Sequence, residues 1–226
     1  MWYNVRVNNR DYKNFSKGGI YHIYNRGNNK GIIFHDEQDY RALLFRLGLA
    51  LGINKKNLDQ CPLTLSSKSR IRIGKLKSQS FKIHAFCLMP NHLHILIEQC
   101  GEESISKLIH KVFTSFSKYI NLKYKRVGHI FQDRFKAVQI GSNPQLMLVS
   151  SYIHMNPVKD LLVEKPEEYK WSSYSDFVSL SQKNHKNPIV YTDFLIKIFG
   201  NSDTFVEENT RLYNVSKTAF DILDVL

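Results

Sequence analysis

Cysteine is scarce in this 226-residue chain: Cys61, Cys87 and Cys100 are the only three, and no two form a CxxC pair. Neither a disulfide framework nor a thiolate zinc site is expected from so few. With 6 prolines and 11 glycines the chain is not collagen-like or of low complexity, and 42% hydrophobic residues exclude a wholly disordered one. No apolar run approaches the roughly 18–20 residues that a membrane span needs. The opening residues Met1-Trp2-Tyr3-Asn4-Val5-Arg6 lack the charged-then-apolar pattern of a secretion signal. The cytoplasm is the expected compartment, with no membrane partner. Acids are the last deficit, with 20 Asp+Glu against 32 Lys+Arg, a net charge of +12 and a pI near 9.5.

That excess points to a polyanionic partner, and in the cytoplasm to nucleic acid. Its distribution is uneven. Residues 53–82 carry Lys55, Lys56, Lys68, Arg70, Arg72, Lys75, Lys77 and Lys82 against Asp59 alone. Residues 104–132 carry basic side chains and no acid, whereas acids outnumber bases over 199–226. Patches of this kind suit a phosphate-binding face.

Alternation and β-forming residues predict a strand over 19–26, closed by Gly27-Asn28-Asn29. Asp36 or a neighbour caps a helix to about residue 51, with Tyr40, Leu43, Leu44 and Leu47 at helical spacing. The basic insertion 53–80 shows no clear period and reads as a loop or loose hairpin. Two strands, 81–88 and 92–97, flank a Met89-Pro90-Asn91 turn, where a proline without an N–H belongs. Ser104 caps a helix over 105–122, and 129–140 reads as a long strand. Asn143 and Pro144 start a third helix, expected to stop at Asn156 because Pro157 disfavours helical geometry before it. The order is βαββαβ, that of an α+β, ferredoxin-like antiparallel sheet with helices on one face, followed by a C-terminal helical appendage. That appendage is the tail after Trp171.

His92 and His94 are two apart on a strand, so both leave the same face. Such a pair is two thirds of a metal site, or two ordinary histidines on a half-polar face. Tyr152 and Asn156 are four apart on a helix and stack on one side. An amide oxygen beside two imidazoles suits a hard divalent cation, Mg²⁺ or Mn²⁺, and a metal there would let a tyrosine attack a phosphodiester. The plainer reading makes Tyr152 one of 12 packing tyrosines and Asn156 a turn former.

Five segments then occur in order: Tyr21-His22-Ile23-Tyr24-Asn25-Arg26-Gly27, Met89-Pro90-Asn91-His92-Leu93-His94-Ile95-Leu96, Gly128-His129-Ile130-Phe131-Gln132-Asp133-Arg134-Phe135, Tyr152-Ile153-His154-Met155-Asn156-Pro157-Val158 and Trp171-Ser172-Ser173-Tyr174. Together they resemble the single-tyrosine HUH transposases, and most closely the REP-associated tyrosine transposases and their domesticated relatives. The resemblance covers roughly 15–177 and implies a domain of that span, with the insertion 53–80 inside it and 178–226 as the appendage; it does not constrain the insertion or the tail. It implies the HUH endonuclease fold, His92 and His94 as metal ligands, Asn156 as the third, and Tyr152 as nucleophile. Many insertion-sequence relatives have a glutamine at the third position, so Asn156 favours the REP-associated branch. The implied activity is cleavage of single-stranded DNA beside a hairpin through a 5′-phosphotyrosine, followed by strand transfer in DNA transposition and recombination. A monomer and a homodimer are both compatible with it.

Other residues carry softer expectations. Asn25 and Arg26 end the first strand, where an arginine can grip the backbone. Gln132, Arg134 and Lys136 alternate with apolar neighbours and form a single-strand platform or a solvated face. Lys55, Lys56, Arg70 and Arg72 are placed on the DNA hairpin. His154 is a candidate for proton transfer, and Trp171 for base stacking or core packing. Two rivals stand: a domesticated, non-cleaving binder of hairpin DNA or RNA, and an unrelated metallohydrolase built on the histidine pair.

Overall fold

A computed structural model of the protein describes residues 14–54, 58, 74–77, 79–178 and 187–215. Its centre is a four-stranded antiparallel sheet in the order β2-β3-β1-β4, built from β1 (Ile20–Arg26), β2 (Phe81–Met89), β3 (His92–Gln99) and β4 (Lys136–Ile140). With α1 (Glu37–Ala50) between β1 and β2 and α2 (Ile105–Lys123) between β3 and β4, this is the expected βαββαβ arrangement. The C-terminal half adds α3 (Asn143–Lys159), α4 (Tyr174–Val178), α5 (Thr192–Phe199) and α6 (Ser202–Val215).

Local chemistry fixes the ends of the helices. Asp36 accepts from the Asp39 amide at 3.2 Å and completes a capping box at the start of α1. Ser104 accepts from the Ser106 amide at 3.2 Å ahead of α2, where Leu108, Ile109, Val112 and Phe116 are buried. Pairs of apposed strand residues share a face, so Ile23, Leu93 and Ile95 project together and form the core with the apolar stripes of α1 and α2. The opposite face carries His22, Tyr24, Arg26, His92 and His94, and α3 crosses it. Sheet alternation thus separates a largely apolar face, with Asn25 at its end, from the polar one.

Three local expectations are corrected. The strand expected over 129–140 is confined to Lys136–Ile140. Its first half bends instead, because Asn28, Arg26 and Gly27 of the neighbouring turn capture residues 130–132 through single contacts: Asn28 N donates to Ile130 O, Gln132 N donates to Arg26 O, and Gly27 bridges Phe131. The cap of α3 is Ser142, one residue earlier than expected, with its hydroxyl accepting from Gln145 N at 3.4 Å. Pro157 does not stop α3, which runs on to Lys159. The proline sits within one turn of the helix end, where the lost N–H bond is a single one and the Asp160 and Leu162 amides still close onto Asn156 O and Pro157 O.

The free edge of β2 is covered. Leu88 N donates to Trp171 O, Ser173 N to Phe86 O, and Tyr191 N to Ile83 O. Helices α5 and α6 pack on α3, with Phe199 and Phe205 buried beside Phe177 and Tyr174. The ends of the basic insertion are anchored, Leu58 and Leu76 being buried and Leu76 N donating to Ala50 O. Lys55, Lys56, Arg70 and Arg72 lie outside the described residues. Among the described residues no helix is long and apolar enough to cross a membrane.

Candidate functional site

The site is assembled where β1, β3 and α3 meet. The β1/β3 register puts Tyr24 opposite His94 and Arg26 opposite His92. On α3, one face brings Tyr152 and Asn156 down onto these histidines. The Tyr152 ring meets His94 edge-on at 5.2 Å between centroids and His22 at 5.9 Å. Asn156 Oδ1 lies 3.4 Å from His92 Nε2. All four side chains singled out from spacing therefore converge within one chain, and each is buried.

The hydrogen bonds around them assign protons. Asn91 Nδ2 donates to Lys30 O at 3.3 Å, which turns Asn91 Oδ1 toward His92 Nδ1 at 2.7 Å. An amide oxygen only accepts, so Nδ1 of His92 carries a proton, and in the neutral imidazole Nε2 then presents a lone pair. Asn156 Nδ2 donates to Tyr152 O at 2.7 Å, which turns Asn156 Oδ1 toward that same lone pair. Two acceptors face one another, an arrangement that a cation relieves. His94 Nδ1 lies 3.0 Å from His22 Nε2, while His94 Nε2 is buried without a hydrogen-bond partner among the described residues. Either imidazole can donate in this bond; in the tautomer where His94 Nδ1–H donates to His22 Nε2, His94 Nε2 keeps its lone pair toward the site. An imidazole whose other ring nitrogen is held by a hydrogen bond is the usual setting of a metal-ligating histidine.

Burial keeps these rings neutral. His22 is pushed down to about 3 by burial, and His94 lies well below the ordinary histidine value, first through burial and then because a charge on it would repel the cations of Arg26 and Lys159 and any proton gained by His92 or His22. Neutral imidazole is the form that binds metal. Cys87 stands opposite His94 in the register, but burial pushes its thiol up, so it offers no thiolate. Among the described residues no group of three or more His, Cys, Asp or Glu side chains is placed to hold a metal. The donor set that fits is therefore two imidazoles and the Asn156 amide, with oxygen donors completing a hard-ion shell.

The remaining site expectations separate. Arg26 shares the histidine face, and so does Lys136, whose Nζ lies 5.9 Å over the Tyr24 ring. Asn25 turns to the other face, where Nδ2 donates to Asp133 O at 3.2 Å. Gln132 and Arg134 are exposed but precede β4, so the three-residue strand platform does not form. His154 is fully buried and its Nε2 lies 2.9 Å from Ser173 Oγ, which ties α3 to the β2 edge and takes the ring away from Tyr152's face. Trp171 stacks on Tyr40 at 4.5 Å and packs the fold. His22, Tyr24 and Asn91 were not singled out from the sequence. The period-two alternation His22, Tyr24, Arg26 was the available signal, since it puts all three on the face of His92 and His94 once β1 pairs with β3.

A family model described as "Transposase IS200 like" matches residues 66–156, a span that holds both histidines, Tyr152 and Asn156. The chain resembles the IS200-like transposases. The fold agrees: a solved structure titled "Structure of the REP associates tyrosine transposase bound to a REP hairpin" superposes with a TM-score of 0.54 at 17% identity, covering 80% of this chain and 90% of that one. No curated protein matches the chain. The IS200-like segment thus begins within the basic insertion and ends on the residue whose amide faces His92.

The buried histidines make a pH prediction. His22 and His154 have folded values near 3 against about 6.5 when unfolded, so the unfolded chain binds more protons between those limits. Their contribution to stability is complete above about pH 6.5 and is lost as pH falls toward 3, at about 1.4 kcal/mol per pH unit for each ring. Urea unfolding at pH 5 is expected to give a free energy about 4 kcal/mol below that at pH 7, with His94 acting in the same direction. The dependence should weaken in His154→Gln. Equal stability at the two pH values would mean that these rings are not buried neutral.

Proposed function

We propose that the chain is a metal-dependent, single-stranded DNA endonuclease and strand transferase that cuts beside a hairpin, with Tyr152 as nucleophile. The observation that carries this reading is the edge-on contact of Tyr152 with His94, with Asn156, one helical turn on, facing His92. The hairpin as substrate is brought over from the structural relative, whose title names one. The net charge of +12 supports a DNA partner.

In this reading His92, His94 and Asn156 hold Mg²⁺ or Mn²⁺, which when bound supplies positive charge to polarise the scissile phosphodiester. Asn91 and His22 orient the two imidazoles and keep their protons on the far nitrogens. Arg26 and Lys136, on the same face, grip flanking phosphates. Tyr152 gives up its phenolic proton to solvent and its oxygen bonds to phosphorus. The bond from phosphorus to the 3′-oxygen breaks, and that oxygen leaves as a 3′-hydroxyl with a proton from water. The 5′-phosphotyrosine conserves one phosphodiester's worth of bond energy, so attack by another 3′-hydroxyl rejoins strands and frees Tyr152 without ATP. We further propose 15–177 as the cutting domain, with 178–226 as an appendage whose helices α5 and α6 pack on the helix of the nucleophile, working in the cytoplasm. A monomer suffices for the site.

The test uses labelled stem–loops from the DNA flanking the gene, incubated with protein and Mg²⁺ or Mn²⁺. A denaturation-resistant protein–DNA adduct that chelator prevents is expected. Tight stem–loop binding without an adduct would replace this reading with that of a non-cleaving binder.

A further inference from the structure

A cleft of about 730 Å³ opens on the other side of β1 from the histidines, between the outer face of α2 and the segment 128–135. Phe113 and Phe131, stacked 4.4 Å apart, form its apolar floor. One wall is the ladder His110, Thr114 and Lys118, each four residues on and all exposed. The other is Gln132 and Arg134. The one acid in the lining, Asp133, turns its carboxylate to the Arg134 amide at 2.7 Å. The cleft therefore presents donors and positive charge over an aromatic base.

It also adjoins the site. Gln132 N donates to Arg26 O at 2.9 Å, Gly27 bridges Phe131, and Arg26 is the register partner of His92. The last residues of β1 are a wall common to both. Gly27 also allows the tight turn that ends β1, since a Cβ there would lie 2.0 Å from Gly31 O.

We propose that this cleft is a subsite for unpaired nucleotides of the DNA strand being cut, one that receives the chain after it rounds the end of β1. The proposal rests on the reading of the protein as a single-strand endonuclease. The volume falls in the range of about 300–1,000 Å³ that encloses nucleotide-sized ligands and is too small for a duplex. The chemistry matches as well: a base takes the aromatic floor, and phosphates take Lys118 and Arg134. This gives Gln132 and Arg134 a task that the short β4 does not.

The test measures binding of gene-flanking stem–loops to the full chain in chelator, so that no strand is cut. Each stem–loop is used bare and with an unpaired tail of about 12 nucleotides on its 5′ or 3′ side. In the wild type, a tail on one side is expected to tighten binding about tenfold. Thr114→Trp, which fills the cleft from an exposed helix position, and Lys118→Ala should erase most of that gain and leave the bare stem–loop bound as before. An unchanged tail effect in both variants, or no tail effect in the wild type, overturns the subsite while the endonuclease reading stands. Failure of the wild type to bind any of the stem–loops removes the endonuclease reading and the subsite with it.

Discussion

Tyr152→Phe is expected to lower the yield of covalent protein–DNA adduct by about 10⁴-fold or more, while stem–loop affinity stays within about twofold. The substitution removes one oxygen and keeps the ring. That ring is what the structure uses, edge-on to His94 and His22 and almost wholly buried, so the fold and the two imidazoles should survive unchanged. The assay is a denaturing gel of labelled stem–loop with protein and Mn²⁺, run beside a binding titration in chelator. Tyr24 gives the experiment its second edge. It lies on the same face, its ring 6.1 Å from His94, and is a second phenol beside the site. An adduct of wild-type yield from Tyr152→Phe that disappears in Tyr24→Phe would move the nucleophile from the helix to the sheet and end the present assignment.

Much of this site is legible in the amino-acid sequence because it depends on short-range periodicity. His92 and His94 are two apart on a strand, Tyr152 and Asn156 four apart on a helix, and those spacings place each pair on one face with no knowledge of the fold. The sheet is legible for the same reason: alternation in 19–26, 81–88 and 92–97 marks strands with one buried face. What sequence periodicity cannot reach is pairing across the chain. His22 becomes the support of His94 only through the β1/β3 register, 72 residues apart. Asn25 and Arg26 are adjacent in sequence and divided between two faces by the same alternation, so Arg26 joins the histidines while Asn25 turns toward the cleft beside Phe131. The expected strand over 129–140 failed differently. Its residues alternate as a strand should, but bonds from the Arg26–Asn28 turn bend 130–132 and leave β4 to start at Lys136. Pro157 shows local preference yielding to position, since near a helix end its missing donor costs little.

His94→Ala is the second large effect, and its consequences divide in a way that tests the ligand assignment. The loss of one of two imidazoles leaves His92 and the Asn156 amide, a set too weak to hold Mn²⁺ at ordinary concentrations, so metal-dependent adduct formation is expected to fall by about 10³-fold or more. The same change strips His22 Nε2 of its partner inside a buried site, at a cost of about 1–3 kcal/mol in stability. Activity alone would therefore confuse a lost ligand with a loosened fold. Metal-induced stabilisation separates them, because an ion that binds the native state raises the melting temperature by mass action. Wild-type protein is expected to melt higher with Mn²⁺ than with chelator, and His94→Ala to melt low and equally in both. His22→Ala is the intermediate case: the ligand remains but nothing fixes its tautomer, so the Mn²⁺ concentration needed for half the shift should rise about 10–100-fold while the full shift is still reached. If His94→Ala keeps the whole Mn²⁺-dependent rise, the buried lone pair on His94 Nε2 is not a ligand. The opposed acceptors at His92 and Asn156 would then be reconciled by a protonated His92, a buried ion that the neutral surroundings of His22 and His94 make costly.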